Sequence, residues 1–420
     1  MTDTFHDMLY LFACGATGKA PVLNRRVDIA QIKKLSMKQG IWPTVILALK
    51  AAKQCSFFNV SESEMNALND EMIAAAAKNI QRLSISREVF SEFNKAGISY
   101  CLLKGESLAA LYNEPSCRIS GDTDILIPIE KETECVAIME KLGYSVPEKS
   151  PTSHHICCHH PIGGLVELHL RLYDELFEDV WFNNKMFNQE PYRKINLDEN
   201  IRVPVLGITD GYIFTALHFI KHFLSRGAGV RQMMDTLLYA INYKNEIDWN
   251  RVNQLMRYLK YDRFMDCVYQ IGAEYCKLPV CVPDFQPVED GLHLRVLEDM
   301  ETGGVFGQSQ KGRENFFYRY TQARFETFKK NENYQKYMND WKRQPLVKRL
   351  FPSRKAIFMK YPYVQKSVLL LPAAWVHRII DLLIRVLTKK RKMSELYRVP
   401  SPDNDIVEKR MDLIKDLNMI

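Results

Sequence analysis

The strongest constraint on this chain is a glycine turn followed downstream by two carboxylates one residue apart. Leu102-Leu103-Lys104-Gly105-Glu106-Ser107 reads as the end of a buried strand, a turn at Gly105 and a short helix over Glu106–Tyr112. Arg118 to Pro128 reads as a second strand, with Asp122, Asp124 and Leu126 alternating against Thr123, Ile125 and Ile127. Strand side chains point alternately to the two faces, so Asp122 and Asp124 share one. Like charges held side by side repel, and a divalent cation between them removes that cost. The segment predicts a metal-dependent phosphoryl or nucleotidyl transfer site.

Such chemistry places negative charge on phosphorus oxygens and on a leaving pyrophosphate, which two magnesium ions neutralise while activating the attacking hydroxyl. It calls for a third carboxylate on a neighbouring strand. Val166-Glu167-Leu168-His169-Leu170 supplies one, because Glu167 is flanked by apolar residues as a polar group on a buried strand would be. His169 and Arg171 fall on the same face.

Around these segments the chain divides into four regions. Residues 1–94 read as helical, with Met65, Leu68, Met72, Ala75, Ala76 and Ile80 at helical spacing and the pattern running on to Phe90 and Phe93. Residues 95–205 read as a small mixed unit, opened by a helix C-cap at Gly97 and a strand over Ile98–Leu103. A helix follows over Lys131–Leu142, then strands over His154–His160 and Leu165–Leu172, joined as a hairpin across Pro161-Ile162-Gly163-Gly164. Residues 206–340 return to helical spacing, with Tyr212, Ala216, Leu217, Phe219, Ile220 and Phe223 on one face and further helices over Val230–Ile241 and Trp249–Leu259. Residues 341–420 form a basic helical region punctuated by Pro345, Pro352, Pro362 and Pro372.

At 420 residues the chain exceeds a single core, and 46% hydrophobic with 25% charged residues argues against extensive disorder. The ten scattered cysteines, and a start at Met1–Gly18 without a secretory pattern, point to reduced thiols in a cytoplasm. No apolar run reaches the length of a membrane span. Trp341–Arg398 holds 15 Lys or Arg against two acids, so the net +7 belongs to that region and the rest is net acidic. Its interleaved Tyr361, Tyr363 and Trp375 leave three readings open: a solvated face, nucleic acid, or an anionic membrane surface. The apolar Val376–Leu387 helix beside Lys389-Lys390-Arg391-Lys392 favours peripheral membrane contact.

Leu-Lys-Gly, then Tyr, Pro and Arg, then Asp-x-Asp-hydrophobic-Leu, resembles the polymerase-β-type nucleotidyltransferase superfamily. More narrowly, with Val166-Glu167-Leu168-His169 and Leu217-His218-x-x-x-His222 followed by Arg231 and Asp235, the chain is similar to the mostly bacterial family of uncharacterised nucleotidyltransferases. The likeness extends to Phe351-Pro352-Ser353 and Leu371-Pro372-Ala373, and so over most of the chain after residue 95. It implies an α+β fold, a palm of mixed strands with flanking helices between helical N- and C-terminal regions. It also implies an enzyme that moves a nucleoside monophosphate from an NTP donor to an acceptor hydroxyl or phosphate. Asp122, Asp124 and Glu167 would be the catalytic metal ligands for a pair of Mg ions. The alternative is a non-catalytic nucleotide- or partner-binding module on the same fold. The resemblance does not name the acceptor; a small molecule, a glycan or a protein is expected ahead of nucleic acid.

One departure stands out. The superfamily turn is Gly-Ser or Gly-Gly, whereas Gly105 is followed by Glu106 and then Ser107. Glu106 would set a negative charge beside the triphosphate unless it points away. Lys104 and Arg118 are the candidates to offset phosphate charge, with Gly105 allowing close backbone approach and Ser107 donating at the helix start.

The run His154-His155-x-Cys157-Cys158-His159-His160 invites a zinc reading. Successive residues on one strand face lie about 7 Å apart, too far for one straight strand to close a tetrahedron. Histidines lining a nucleotide site, or plain edge-strand residues, are favoured. His218 and His222, one helical turn apart, read as core or substrate-lining groups. Arg231 and Asp235 either pair within their helix or leave Arg231 to reach a phosphate.

Overall fold

The computed structural model describes residues 2–52, 60–147, 155–172, 190–225, 227–289, 291–303, 370–377, 380 and 404–419. Contacts divide the chain into Met1–Tyr320 with Glu408–Ile420, and Thr321–Val407. The elements that position the site all belong to the first unit. His154 and most of the basic region, with the bulk of the expected Val376–Leu387 helix, lie outside the described residues. Among the described residues no helix is long and apolar enough to cross a membrane.

The described residues before the sheet form α1 (Asp3–Thr17), α2 (Ile29–Gln39), α3 (Trp42–Ala51) and α4 (Glu62–Lys95). Helix α4 opens on a capping box in which Ser61 and Glu64 satisfy each other's backbone N–H. Past its end, Gly97 takes φ +66°, the left-handed turn that glycine adopts without strain. The expected apolar face of α4 is interrupted. Met65 and Leu68 are buried at one end and Ile85, Val89, Phe90 and Phe93 toward the other, but Ile80 is 55% exposed. A helix of 34 residues is about 50 Å long. It reaches two separate cores, and its middle touches neither.

The mixed unit contains β1 (Cys101–Leu102), α5 (Glu106–Ala109), β2 (Thr123–Leu126), α6 (Glu132–Lys141), β3 (His155–His159), β4 (Leu165–His169), β5 (Arg193–Asn196) and β6 (Arg202–Val205). These strands form one mixed sheet in the order β3-β4-β2-β1-β6-β5. Strand β2 runs antiparallel to β1 and parallel to β4, while β3/β4 and β5/β6 are antiparallel hairpins. The β3/β4 hairpin turns through Gly163 at φ +98°.

Two expected strands prove shorter, and one hairpin is new. The strand expected over Ile98–Leu103 is only two residues long. The strand expected over Arg118–Pro128 is confined to Thr123–Leu126, because Pro115–Cys117 forms a turn of 3₁₀ helix and Arg118 leaves it before pairing begins. The β5/β6 hairpin was not anticipated; it is short, and Pro204 sits in β6 where it weakens a strand reading. Its turn did carry a signal, since Asp198 Oδ1 accepts from the N–H groups of Asn200 and Ile201, both at 2.8 Å.

Alternation divides the sheet chemically. Leu102, Ile125, Val166, Leu168, Ile156, Cys158, Val203 and Val205 pack on the C-terminal half of α4 and on α6. Asp124, Glu167 and His169 occupy the intervening positions, which turn to the opposite face. The helices α7 (Ile208–Ser225), α8 (Val230–Asn242), α9 (Trp249–Tyr258), α10 (Asp262–Glu274) and α11 (Leu292–Gly303) share a second core with α1 to α3 and with Cys101, Leu103 and Leu108.

In α10, burial pushes the Asp266 carboxyl up to about 6, while the Gln286 N–H at 3.4 Å opposes the shift. The folded state then holds this proton more tightly than the unfolded chain, so stability falls as pH rises from about 4 through 6. Asp266→Asn removes that loss. Thermal melts at pH 7.5 are expected to show the variant more stable by about 1 kcal/mol, with the gain vanishing near pH 4.

Candidate active site

The turn between β1 and α5 is built on Gly105, whose φ of +94° and ψ of −110° belong to a region that side-chain-bearing residues avoid. Leu103 N–H donates to the Asp124 carbonyl at 2.9 Å, which fixes the turn against β2. Ser107 lies half-buried in the first turn of α5. Glu106 points away from the carboxylates. Arg87 on α4 grips it, with Nη2 at 2.6 Å and Nε at 3.0 Å from Oε2, and reaches Asp198 at 3.2 Å with Nη1. Burial raises the Glu106 pKa and the Arg87 charge opposes the rise. The Glu106 charge is thus offset by Arg87.

Asp122 stands just before β2, Asp124 lies on it, and Glu167 is the direct partner of Asp124 in the β2/β4 register. One ligand oxygen from each of the three lies within 4.8 Å of the others. Lys104 Nζ sits among them, 3.3 Å from Asp122 Oδ2, 3.1 Å from Asp124 Oδ2 and 3.3 Å from His218 Nε2 on α7. Burial disfavours the Asp122 carboxylate, but Lys104 and Arg231 outweigh it and hold the carboxyl well below its usual range. Burial disfavours the Lys104 ammonium too, and the surrounding carboxylates reverse that. Burial and the Lys104 charge together keep His218 neutral.

His169 Nε2 lies 2.9 Å from Asp124 Oδ1 and 3.5 Å from Glu167 Oε2. Burial lowers its basicity, but these two carboxylates overcome that and hold it above the ordinary histidine value. On β3, His155 Nε2 is 3.9 Å from Glu167 Oε1. Of the rest of the histidine and cysteine run, Cys158 is buried, His159 is exposed and His160 packs edge-on against Tyr144 with ring centroids 5.0 Å apart.

A small cleft opens beside Asp122, lined among others by Lys104, Arg118, His218, His222 and Arg231. Ser107 and Glu167 lie outside its lining. Arg118 is buried and spends its charge on Asp235, donating from Nε at 2.8 Å and Nη2 at 2.7 Å, while Tyr112 Oη donates to the same carboxylate at 2.8 Å. Arg118 Nη1 also donates to the Gly105 carbonyl at 3.3 Å. The intrahelical Arg231–Asp235 pair is thus replaced by a planar two-point pair from a different segment. Arg231 instead donates through Nη1 to the Ile119 carbonyl.

The profile of the family described as uncharacterised nucleotidyltransferase matches residues 25–276. The chain belongs to that family. No curated protein matches it. The family match takes in α2 to α10 and every site residue named above. It begins well before residue 95, where the resemblance was expected to start, and stops short of the Phe351-Pro352-Ser353 and Leu371-Pro372-Ala373 segments.

Within this nucleotidyltransferase family member, the carboxylates offer hard oxygen donors, which suit a magnesium-type ion. The Lys104 ammonium touching two of them shows that the same space already stabilises positive charge. Two contributors escaped the sequence reading. Arg87 is distant in sequence from Glu106 and carries no motif, whereas His155 lay in the histidine run but was not joined to Glu167.

Proposed function

We propose that the chain is a Mg-dependent nucleotidyltransferase that moves a nucleoside monophosphate from an NTP to an acceptor hydroxyl or phosphate, on a polymerase-β-like palm. The observation that carries this reading is the convergence of Asp122, Asp124 and Glu167 beside a cationic cleft, in a chain of the nucleotidyltransferase family. Asp122 and Asp124 hold the metal ions and Glu167 completes the set. When bound, the metal supplies charge neutralisation at the phosphates and a more acidic acceptor hydroxyl. Lys104, released from the carboxylates, carries its charge to the donor phosphates, and Arg231 adds a second cation from α8. Gly105 brings backbone close to the phosphates, and Ser107 offers its hydroxyl at the start of α5. Arg118 contributes by holding the Gly105 carbonyl, since Asp235 already neutralises it.

The test is calorimetric titration with the four NTPs and Mg, paired with pyrophosphate release across small-molecule, glycan and protein acceptors. Metal-dependent NTP binding with pyrophosphate release on one acceptor class is expected. Binding without turnover on any acceptor would favour the non-catalytic module. Peripheral contact of the 341–398 segment with anionic membrane is a separate proposal resting on its charge, and vesicle co-sedimentation at low salt tests it.

A further inference from the structure

The histidines beside Glu167 carry a second site. We propose that His155, Glu167 and His169 bind a borderline first-row transition-metal ion of the zinc class, next to the all-oxygen set, with the fourth position left to water. The three side chains present ligand atoms within 4.8 Å of one another.

The objection to zinc on this strand was that one straight strand spaces its ligands too widely. The hairpin removes it. His155 on β3 lies directly opposite His169 on β4, and Glu167 precedes His169 by two residues, so all three project from one face of a paired ladder. Their rings lie 5.3 Å apart between centroids. Glu167 offers Oε1 toward His155 at 3.9 Å and Oε2 toward His169 at 3.5 Å. Donors about 2.0–2.2 Å from a tetrahedral ion lie roughly 3.3–3.6 Å apart, so modest closure completes the geometry. Asp124 Oδ1 lies 2.9 Å from His169 Nε2 and ties this set to the neighbouring carboxylates. Binding replaces the proton on His169 Nε2, which passes to solvent, with a metal–nitrogen bond.

Ligand chemistry sets the preference. Two imidazoles with carboxylate oxygens favour zinc-class ions over magnesium, which seeks oxygen donors and retains its waters. Glu167 is common to both sets and would be shared between the two ions. This inference stands on the histidine geometry and does not require that the chain transfer nucleotides.

The full chain, stripped of metal and kept in millimolar Mg²⁺, is titrated with Co²⁺. The expected result is a visible absorption band of low-coordinate, nitrogen-ligated cobalt that saturates at one ion and is bleached by Zn²⁺ but not by further Mg²⁺. His155→Ala is expected to weaken Co²⁺ at least about tenfold, since even groups behind the ligands cost that much. His155→Gln serves if the alanine variant does not fold. A wild-type spectrum like that of aqueous cobalt, or Co²⁺ affinity unchanged in the folded His155 variant, overturns the proposal.

Discussion

Asp124→Asn is expected to lower pyrophosphate release by about 10³-fold or more, a barrier increase of about 4 kcal/mol, while leaving the fold in place. Asp124 is 1% exposed and lies between Lys104 Nζ at 3.1 Å and His169 Nε2 at 2.9 Å. Asparagine keeps the shape and an accepting oxygen, so His169 can still donate to it. What disappears is the charge that draws a divalent ion into the site, and Lys104 is left with Asp122 as its nearest partner. The stability change is expected to be a few degrees in Tm. Asp122→Asn should reproduce the loss of turnover with a smaller change in Tm, because its side chain is 19% exposed. Full activity in both variants, measured by pyrophosphate release at saturating Mg and NTP, would sink the transfer reading.

The parts of this site that were legible in the sequence are those set by local geometry. The alternation at Asp122, Thr123 and Asp124 set the two carboxylates on one face, and Gly105 marked the turn because few residues tolerate its backbone. The helical spacing of Tyr212, Phe219 and Phe223 located α7 closely. The choice of partners was not legible. Glu106 looked like a misplaced charge until the fold set Arg87 against it, and Asp235 looked like a partner for its helical neighbour Arg231 until Arg118 reached it from another segment. An ion pair is decided by where two backbones meet in space, and spacing along one element reports only half of that. Lys104 shows the same limit: the motif made it a candidate to offset phosphate charge, whereas the fold sets its ammonium among the carboxylates.

Arg118→Ala is expected to cost about 3–5 kcal/mol of stability, the largest single effect at this site outside catalysis. The Arg118 and Asp235 side chains are 3% and 5% exposed, so deleting one leaves the other as an uncompensated buried charge. Tyr112, whose hydroxyl donates to Asp235, cannot replace a guanidinium. The size of the loss alone would not separate a structural pair from a phosphate-binding arginine, but a double substitution does. Arg118→Met with Asp235→Leu removes both charges together, and well-packed apolar replacements of buried pairs are often neutral. Denaturant titration should therefore show the double variant recovering most of the stability lost in Arg118→Ala. Because the wild-type pair is net neutral, NTP affinity in the double variant should change by less than about threefold, through loosening of the Gly105 turn alone. A tenfold loss of NTP affinity in a stable double variant would mean that Arg118 meets the phosphates directly, with Asp235 holding it in aim rather than cancelling it.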